Sequence, residues 1–439
     1  MLAPAFVFAG LAGLVFGKME YVGVAIAGAD FGCDIDGSCA LDTMQLPLTS
    51  LGGGDGAGQM KHFVEDDKMN MFRIPVPWQF LVSEPGATID SGNFSKYDQI
   101  VQACLSTGAY CMIDVHNFAR YDGGIIGQGG PTDDQFADLW SQLATHYADE
   151  ETVVFEVVNE PHDLDINLWA QTCQAVINAI RKAGAKTQMI LLPGTNFASA
   201  GTVATDGSGD ALLALTNPDG STDNLLLDIH KYLDINNSGT HEECTTNNTE
   251  AFRTVAAYLR KAGRKGIVSE TGASSDATKQ CMVDFCAQNE VIFDNSDVLV
   301  GFVAWGAGSF KTDYVLSLTP STSNGEYVDN DVMKQCILAP WNDSKDAVSS
   351  SSTAVSATSS TRTASSSSST STSTASSTAA TAALVTGSSA VDASAAGASN
   401  SSSSSDSSSS AGKVLAGART RTELLGTVVV CAVLAGRFL

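Results

Sequence analysis

Eight apolar runs recur along the chain up to Trp305, and polar segments separate them. In chain order the runs are VGVAIAG, MNMFRIPV, AYCMIDVH, VVFEVVNE, QMILLPG, LLLDIHKY, GIVSETG and VLVGFVAW. Short apolar runs that are rich in β-branched residues predict strands buried on both faces. Strands of this kind are typical of parallel sheets whose faces are covered by helices.

Two of the intervening segments follow the helical period. The apolar face of the first consists of Phe136, Leu139, Trp140, Leu143 and Tyr147. The apolar face of the second, between Leu168 and Ala183, consists of Trp169, Cys173, Val176, Ile177 and Ile180. Eight buried strands that alternate with helices predict an α/β fold, a (β/α)8 TIM barrel, with an open doubly wound sheet as the alternative.

Several of the apolar runs become polar at their carboxyl ends. The polar or aromatic residues at these ends are Arg73, Asp114, His116, Asn117, Asn159, Glu160, His230, Tyr232, Glu270 and Trp305. In a barrel these ends converge on one face, which is where active sites form. A single polar strand end is usually a cap or a turn, but the whole set predicts a functional site.

Two glutamates in this set, Glu160 and Glu270, follow the fourth and seventh runs. A barrel would place them on opposite sides of its mouth. Glycoside hydrolysis uses a pair of carboxyl groups that flank a pocket. One donates a proton to the leaving oxygen, and the other attacks the anomeric carbon or activates water. Arg73 could keep the attacking carboxylate ionised. Because Pro161 disfavours helical backbone in the residue before it, we expect Glu160 to be extended.

Other catalytic motifs are missing from the sequence. The glycine-rich stretch LGGGDGAGQMKHF lacks the Gly-Lys-Ser/Thr ending of a phosphate loop, and no GxSxG nucleophile elbow occurs. Neither an HExxH motif nor a zinc-type cysteine pattern is present. We therefore predict no metal and no cofactor.

The ordered motifs identify a family that the chain resembles. VVNEPHD, IVSETG, RIPVPWQFL, DVHNFARYDGGIIGQGGPT, DIHKYLD and FVAWGAGSF together resemble fungal endo-β-1,4-glucanases of glycoside hydrolase family 5, over nearly all of residues 21–341. The resemblance implies a barrel, a retaining double displacement and cleavage inside cellulose chains. It implies that Glu160 is the general acid/base and Glu270 the nucleophile. The sugar-site positions that it implies are Arg73, His116, Asn159, His230, Tyr232 and Trp305.

The resemblance also implies roles and disulfides. Asn159 would bind the 2-hydroxyl of the sugar, Tyr232 and His230 would orient the nucleophile, and Trp305 would offer an apolar face to a pyranose ring. The implied disulfides pair Cys33 with Cys39, Cys104 with Cys111, Cys244 with Cys281, and Cys286 with Cys336. Cys173 would then be free and buried.

Charge narrows the choice of partner. The net charge is −24, and nearly all of the acidic residues precede Ser344. An acidic surface argues against nucleic-acid binding, which needs cations to neutralise phosphates. It suits a neutral ligand such as a β-glucan polysaccharide or oligosaccharide, and we expect a monomer.

The amino terminus and the cysteines predict secretion. Residues 1–17 form an apolar run that fits a secretory signal peptide, with a buried amino-terminal helix as the alternative. Ten cysteines without zinc spacing favour disulfides, which form in oxidising compartments. Sequons for N-glycosylation agree with this route and occur at Asn93, Asn236, Asn247, Asn342 and Asn400.

The carboxyl-terminal quarter differs sharply in composition. From Ser344 to Ser410 the chain is almost all Ser, Thr and Ala, which predicts a disordered, glycosylated stalk. Small residues, a polar spacer and a short apolar tail then match a GPI-attachment signal. A retained membrane helix is the alternative, but the tail is shorter than the ~20 residues that a span needs. The predicted organisation is a signal peptide at 1–17, a catalytic domain at 18–342, a stalk at 343–412 and a GPI-attachment propeptide at 413–439.

Three functional hypotheses remain open from the sequence. The first is a retaining endo-β-1,4-glucanase that a lipid anchor holds at the cell surface or cell wall. The second keeps the fold but changes the activity to that of a mannanase, a β-1,3-glucanase or a transglycosylase. The third is a non-catalytic glycan-binding wall protein, which would have no need of both Glu160 and Glu270.

Overall fold

The computed structural model describes residues 18–274 and 278–344. In these residues eight parallel strands close into a barrel, each pairing with its neighbours in chain order and the last with the first. The strands are β1 (Tyr21–Ala27), β2 (Met71–Val76), β3 (Tyr110–Val115), β4 (Val153–Glu156), β5 (Ile190–Pro193), β6 (Leu225–His230), β7 (Gly266–Glu270) and β8 (Leu299–Gly308). The predicted barrel is confirmed, and the open sheet is wrong.

Helices follow the strands and form the outer layer. They are α1 (Gly56–Glu65), α2 (Trp78–Leu81), α3 (Ser91–Ser106), α4 (Asp133–His146), α5 (Ile166–Lys182), α6 (Ser208–Leu213), α7 (Thr249–Ala262) and α8 (Lys279–Asp294). After β8 the chain forms an antiparallel hairpin from Ser321–Ser323 and Glu326–Val328, and then a π-helical segment, Met333–Leu338. A further helical turn continues to Ser344.

Both predicted helical faces are buried, which confirms them. The first face, from Phe136 in α4 to Tyr147 directly after the helix, belongs to the hydrophobic core, with at most 1% of any of its residues exposed. Thr132 begins this helix with a capping box, in which its hydroxyl accepts from the backbone of Gln135 and the Gln135 side chain accepts from the backbone of Thr132. The cap explains why the helix begins directly after the glycine-rich loop.

Alternation within the strands divides the barrel interior into layers. An apolar layer includes Met71 of β2, Met112 of β3 and Val154 of β4, all fully buried. Side chains two residues apart in a strand share a face. The next layer of interior side chains on these three strands, toward their carboxyl ends, is polar. That layer contains Arg73, Asp114 and Glu156, also fully buried. A layer of charged side chains therefore lies inside the barrel, between the apolar layer and the face formed by the carboxyl ends of the strands.

The strand ends differ from the sequence-based bounds at two functional positions. The fourth run was expected to reach Glu160 as a strand, but β4 ends at Glu156. The chain then leaves the ladder while Asn159 still donates a backbone hydrogen bond to Val115. The eighth run was expected to end at Trp305, but β8 continues to Gly308, so Trp305 lies inside a strand.

Four disulfides fasten the loops and the helices. They join Cys33 to Cys39, Cys104 to Cys111, Cys244 to Cys281, and Cys286 to Cys336. These are the pairs that the family resemblance implies. Cys173 is the free cysteine of the described residues, and it is buried in α5.

The predicted targeting and anchoring segments lie outside the described residues. These are the signal peptide at 1–17, the stalk beyond residue 344, the GPI-attachment segment at 413–439 and the sequon at Asn400. Across 18–274 and 278–344, no helix has both the length and the apolar character that crossing a membrane requires.

Candidate active site

The two predicted catalytic glutamates meet at the mouth of the barrel. Glu270 ends β7, and Glu160 lies in the turn that follows β4. One carboxylate oxygen of each and one ring nitrogen of His230 all lie within 4.8 Å of one another. The side chains are 16% exposed at Glu160 and 7% exposed at Glu270, so both are nearly enclosed but keep some contact with solvent.

Glu270 is surrounded by groups that favour its ionised form. The phenol of Tyr232 donates a hydrogen bond of 2.7 Å to Oε1, and Nη1 of Arg73 forms an ion pair with Oε2. Burial raises the pKa of Glu270, but the charges of Arg73, His230 and His116 and the bond from Tyr232 outweigh it and lower the pKa overall. The group is therefore a carboxylate that is ready to attack.

The surroundings of Glu160 favour its protonated form instead. Burial raises its pKa, and the nearby charge of Glu270 adds to this effect. Nδ1 of His230 lies 3.0 Å from Oε1 of Glu160 and pulls the pKa down, without reversing the shift. A carboxyl whose pKa is raised stays protonated longer, which suits a general acid.

The backbone at Glu160 is not as expected from the sequence. Its φ is 43°, in the left-handed region, whereas the following Pro161 had predicted an extended conformation. The turn is fixed by tertiary contacts on both sides: Asn159 bonds to the end of β3, and the Pro161 carbonyl accepts from the backbone of Phe197. A non-glycine residue in this region carries strain of about 1–3 kcal/mol, and such strain is concentrated at functional sites.

Arg73 joins the charged layer to the catalytic face. Its Nε and Nη2 donate to the two carboxylate oxygens of Glu156 at 2.6 and 2.5 Å, a bidentate pair. Nη2 also lies 2.9 Å from Oδ2 of Asp114 and donates to Oδ1 of Asn159 at 2.8 Å. With Nη1 on Glu270, the fork is fixed on every side and cannot turn away from the nucleophile.

His116 and Trp305 complete the set of predicted sugar-site residues. Nδ1 of His116 lies 2.7 Å from Oδ2 of Asp114, and its Nε2 lies 3.4 Å from Nδ2 of Asn159. The indole of Trp305 stacks on this imidazole with the ring centres 5.7 Å apart, and the guanidinium of Arg73 lies 5.7 Å from the centre of the indole. The peptide bond between Trp305 and Gly306 is cis.

The structure thus brings all eight predicted catalytic and sugar-site residues together at the mouth of the barrel, but His230 contacts a different glutamate from the one expected. It was expected to orient the nucleophile together with Tyr232. Instead its Nδ1 contacts Glu160, and Tyr232 alone of the two hydrogen-bonds Glu270. His230 acts on Glu270 through its charge.

Sequence reasoning missed Glu156 in the buried charged layer and Asp228, a fully buried residue of β6, and gave Asp114 no role. Burial raises the pKa of both Glu156 and Asp228. Burial also opposes ionisation of Asp114, but the charges of Arg73 and His116 outweigh it and lower its pKa. The signal that could have revealed these acids is their spacing, two residues beyond an apolar interior position.

Carboxylate and imidazole atoms as close as those of Glu160, His230 and Glu270 could also reach one cation. In this arrangement both oxygens of Glu270 already bond to Arg73 and Tyr232. Both carboxylate oxygens of Glu270 are therefore already engaged by groups of the protein itself. The absence of a cofactor stays a prediction.

Comparison with known proteins agrees with this geometry. The family described as cellulase, glycosyl hydrolase family 5, matches residues 33–308. Endoglucanase EG-II of Hypocrea jecorina is 52% identical over 325 residues, which are 73% of this chain and 77% of that protein. Endoglucanase 1 of Saitozyma flava is 46% identical over 311 residues, which are 70% of this chain and 86% of that protein.

Solved structures agree as well. The crystal structure of Cel5A (EG2) from Hypocrea jecorina matches with a TM-score of 0.71 at 51% identity, over 73% of this chain and 99% of that chain. The family match covers Arg73 on β2, the turn that holds Glu160 and Glu270 at the end of β7. The chain belongs to glycosyl hydrolase family 5, the cellulase family.

Proposed function

We propose that this endoglucanase cleaves internal β-1,4-glucosidic bonds with retention, using Glu270 as nucleophile and Glu160 as general acid/base. The observation that carries the proposal is the approach of the two carboxylates to within 4.8 Å. Retaining enzymes place these groups about 5–5.5 Å apart, whereas inverting enzymes leave about 6.5–9.5 Å for a water molecule. The opposite pKa shifts of Glu160 and Glu270 support this assignment of the two roles.

In the first step a carboxylate oxygen of Glu270 attacks the anomeric carbon. The bond from that carbon to the glycosidic oxygen breaks, and Glu160 transfers its proton to this oxygen, so that the leaving sugar departs as a neutral alcohol. A glycosyl ester on Glu270 remains. The new ester has lost its negative charge, which also removes the charge that had raised the pKa of Glu160.

In the second step the deprotonated Glu160 accepts a proton from water. The resulting hydroxide attacks the anomeric carbon, the ester bond breaks, and Glu270 leaves again as a carboxylate. The two inversions at one carbon give net retention. Glu160 must act first as an acid and then as a base. Loss of the charge on Glu270 in the intermediate lowers the pKa of Glu160, which favours its second role.

The surrounding residues supply sugar contacts. The Nδ2 group of Asn159 lies 3.4 Å from Nε2 of His116, and its second N–H can donate to a 2-hydroxyl while Arg73 holds Oδ1. Trp305 is 7% exposed and packs with Phe31, Phe310 and Tyr314, which together form an aromatic wall for a pyranose ring.

The stereochemistry of the first product tests this mechanism. Proton NMR during hydrolysis of a reduced cello-oligosaccharide should show the β-anomer of the new reducing end before mutarotation mixes the two forms. An α-anomer appearing first would show inversion and would reject the double displacement.

The substrate class needs its own test, because the fold also supports mannanases, β-1,3-glucanases and transglycosylases. Reducing-sugar release should be measured on carboxymethyl cellulose, barley β-glucan, laminarin and mannan. We expect release from the first two. Release confined to laminarin or mannan would reject β-1,4-glucan as substrate, and glycan binding without any release would favour a non-catalytic wall protein.

We also propose that the enzyme is extracellular and held at the cell surface by a GPI anchor. The apolar run at 1–17, the four disulfides and the Ser/Thr-rich segment ending in a GPI-type signal support this location. A phosphatidylinositol-specific phospholipase should release the protein from intact cells. Retention on membranes after that treatment would favour the retained membrane helix instead.

N-glycosylation at the described sequons is part of the same proposal. Asn236, Asn247 and Asn342 are exposed and open to a glycan. Asn93 is half-buried in α3, where its Nδ2 donates to the carbonyl of Phe80. We therefore expect lower occupancy at Asn93 than at the other three, which glycopeptide mass spectrometry can measure.

A further inference from the structure

A second cluster of metal-binding residue types lies away from the catalytic face. His62 is in the last turn of α1, Asp67 is in the turn before β2, and Asp329 follows the hairpin that comes after β8. One ligand atom from each residue lies within 4.8 Å of the other two. Because Asp67 shortly precedes the start of β2, the cluster is at the amino-terminal end of the strands, opposite Glu160 and Glu270.

The imidazole of His62 is oriented in the way that metal ligands usually are. Its Nδ1 lies 2.7 Å from Oδ2 of Asp66, which favours a proton on Nδ1. Its Nε2 points toward the two other carboxylates, 3.2 Å from Oδ1 of Asp329 and 3.7 Å from Oδ2 of Asp67. The lone pair of Nε2 and two carboxylate oxygens therefore face one another.

Hydrogen bonds within this cluster do not satisfy every buried polar atom of the three residues. A protonated His62 has one N–H at Nε2, and Asp329 is the nearer acceptor. Oδ2 of Asp67 is then left buried without a hydrogen-bond partner, on a side chain that is 9% exposed. Leaving a buried carboxylate unpaired costs free energy. Among the described residues, Lys334 is exposed and forms no ion pair with Asp67 or Asp329.

The distances between the three ligand atoms fit a shared cation. Ligands at about 2.0–2.2 Å from one ion in a tetrahedral or octahedral site lie about 3.0–3.5 Å from each other. The observed separations of 3.2 and 3.7 Å need only a small adjustment. One imidazole with two carboxylates is a donor set for first-row transition ions, since calcium and magnesium prefer oxygen ligands alone.

We propose that His62, Asp67 and Asp329 bind one divalent transition cation, such as Mn²⁺ or Zn²⁺, with water completing its coordination. The ion connects α1 and the turn before β2 to a segment 267 residues away from His62 in sequence. It fastens the end of the folded chain to the base of the barrel. The site therefore stabilises the fold and takes no part in the hydrolysis.

The test uses the full chain without a histidine tag, freed of metal with EDTA and then dialysed. Calorimetric titration with MnCl₂, ZnCl₂ and CaCl₂ should show one equivalent of Mn²⁺ or Zn²⁺. At a hundredfold excess over Kd, Tm should rise by about 4 °C. Asp67→Asn and Asp329→Asn should each abolish the rise, with circular dichroism confirming that the variants fold.

Two controls locate the ion. Glu65→Gln removes an exposed carboxylate of the same helix and should leave binding unchanged. Glu270→Gln should also leave it unchanged, whereas loss of binding in that variant would place the ion among the catalytic carboxylates. The proposal is overturned if the unaltered chain binds neither Mn²⁺ nor Zn²⁺ at millimolar concentration, if it binds Ca²⁺ alone, or if Asp67→Asn binds as tightly as the unaltered chain.

Discussion

His230 places Nδ1 3.0 Å from Oε1 of Glu160, although 70 residues separate the two in sequence. Burial opposes protonation of this imidazole, but the charges of Glu270 and Asp228 and the bond to Glu160 outweigh burial and raise the pKa of His230 to about 9. The imidazole is therefore a cation at neutral pH. One buried charge thus lowers the pKa of both catalytic glutamates.

His230→Gln should move the whole pH profile of kcat/KM upward. The acid limb reports protonation of Glu270, and the alkaline limb reports loss of the proton from Glu160. Since the cation lowers both pKa values, its removal should raise both limbs, by about 1 pH unit. A profile in which only one limb moves would show that His230 acts on a single glutamate.

Tyr232→Phe should instead move the acid limb alone. The phenol lowers the pKa of Glu270 by donating a hydrogen bond, and the neutral phenol places no charge near Glu160. Loss of a hydrogen bond to a charged group should lower kcat by about ten- to a hundredfold. Tyr314→Phe is the matched control, because Tyr314 bonds to Trp305 and should leave the acid limb in place.

Arg73→Lys should lower kcat by about 10²–10³-fold while the barrel remains folded. Lysine keeps the positive charge but cannot reach Glu156, Asn159 and Glu270 at once, as the guanidinium does. Steady-state kinetics with circular dichroism would separate catalysis from folding. A loss below tenfold would mean that charge alone suffices and that the fork geometry contributes little.

The disulfides should contribute to stability in the order of the loops that they close. Cys286 and Cys336 are 50 residues apart, whereas Cys104 and Cys111 are 7 apart. From loop entropy we expect replacement of the first pair by serines to lower the free energy of unfolding by about 4 kcal/mol, and of the second by about 2 kcal/mol. Guanidinium denaturation measures both, and a reversed order would contradict the loop-entropy argument.

The fold could be predicted from local pattern because barrel strands are short, apolar and buried on both faces. The run from Gly266 to Glu270, for example, is buried at every position. Because these strands alternate with amphipathic helices, few fold architectures fit the pattern. The site followed from a single rule, that carboxyl ends of parallel strands share one face.

What escaped prediction depends on contacts between distant parts of the chain. Glu156 was given no role, because nothing near it in sequence shows that Arg73 will pair with it from 83 residues away. The left-handed turn at Glu160 overrides the local preference set by Pro161, since partners on β3 and at Phe197 fix it. Which glutamate His230 would touch likewise depended on side-chain directions.

Labelling with a slow substrate tests whether Glu270 forms the covalent intermediate. A 2-deoxy-2-fluoro cellobioside with a good leaving group should inactivate the enzyme, because the fluorine slows hydrolysis of the glycosyl ester. Mass spectrometry of the digested protein should then find one sugar adduct on the peptide that contains Glu270, and the adduct should be missing in Glu270→Gln. An adduct on Glu160 or Glu156, or turnover by Glu270→Gln within a few-fold of the unaltered enzyme, would show that Glu270 is not the nucleophile.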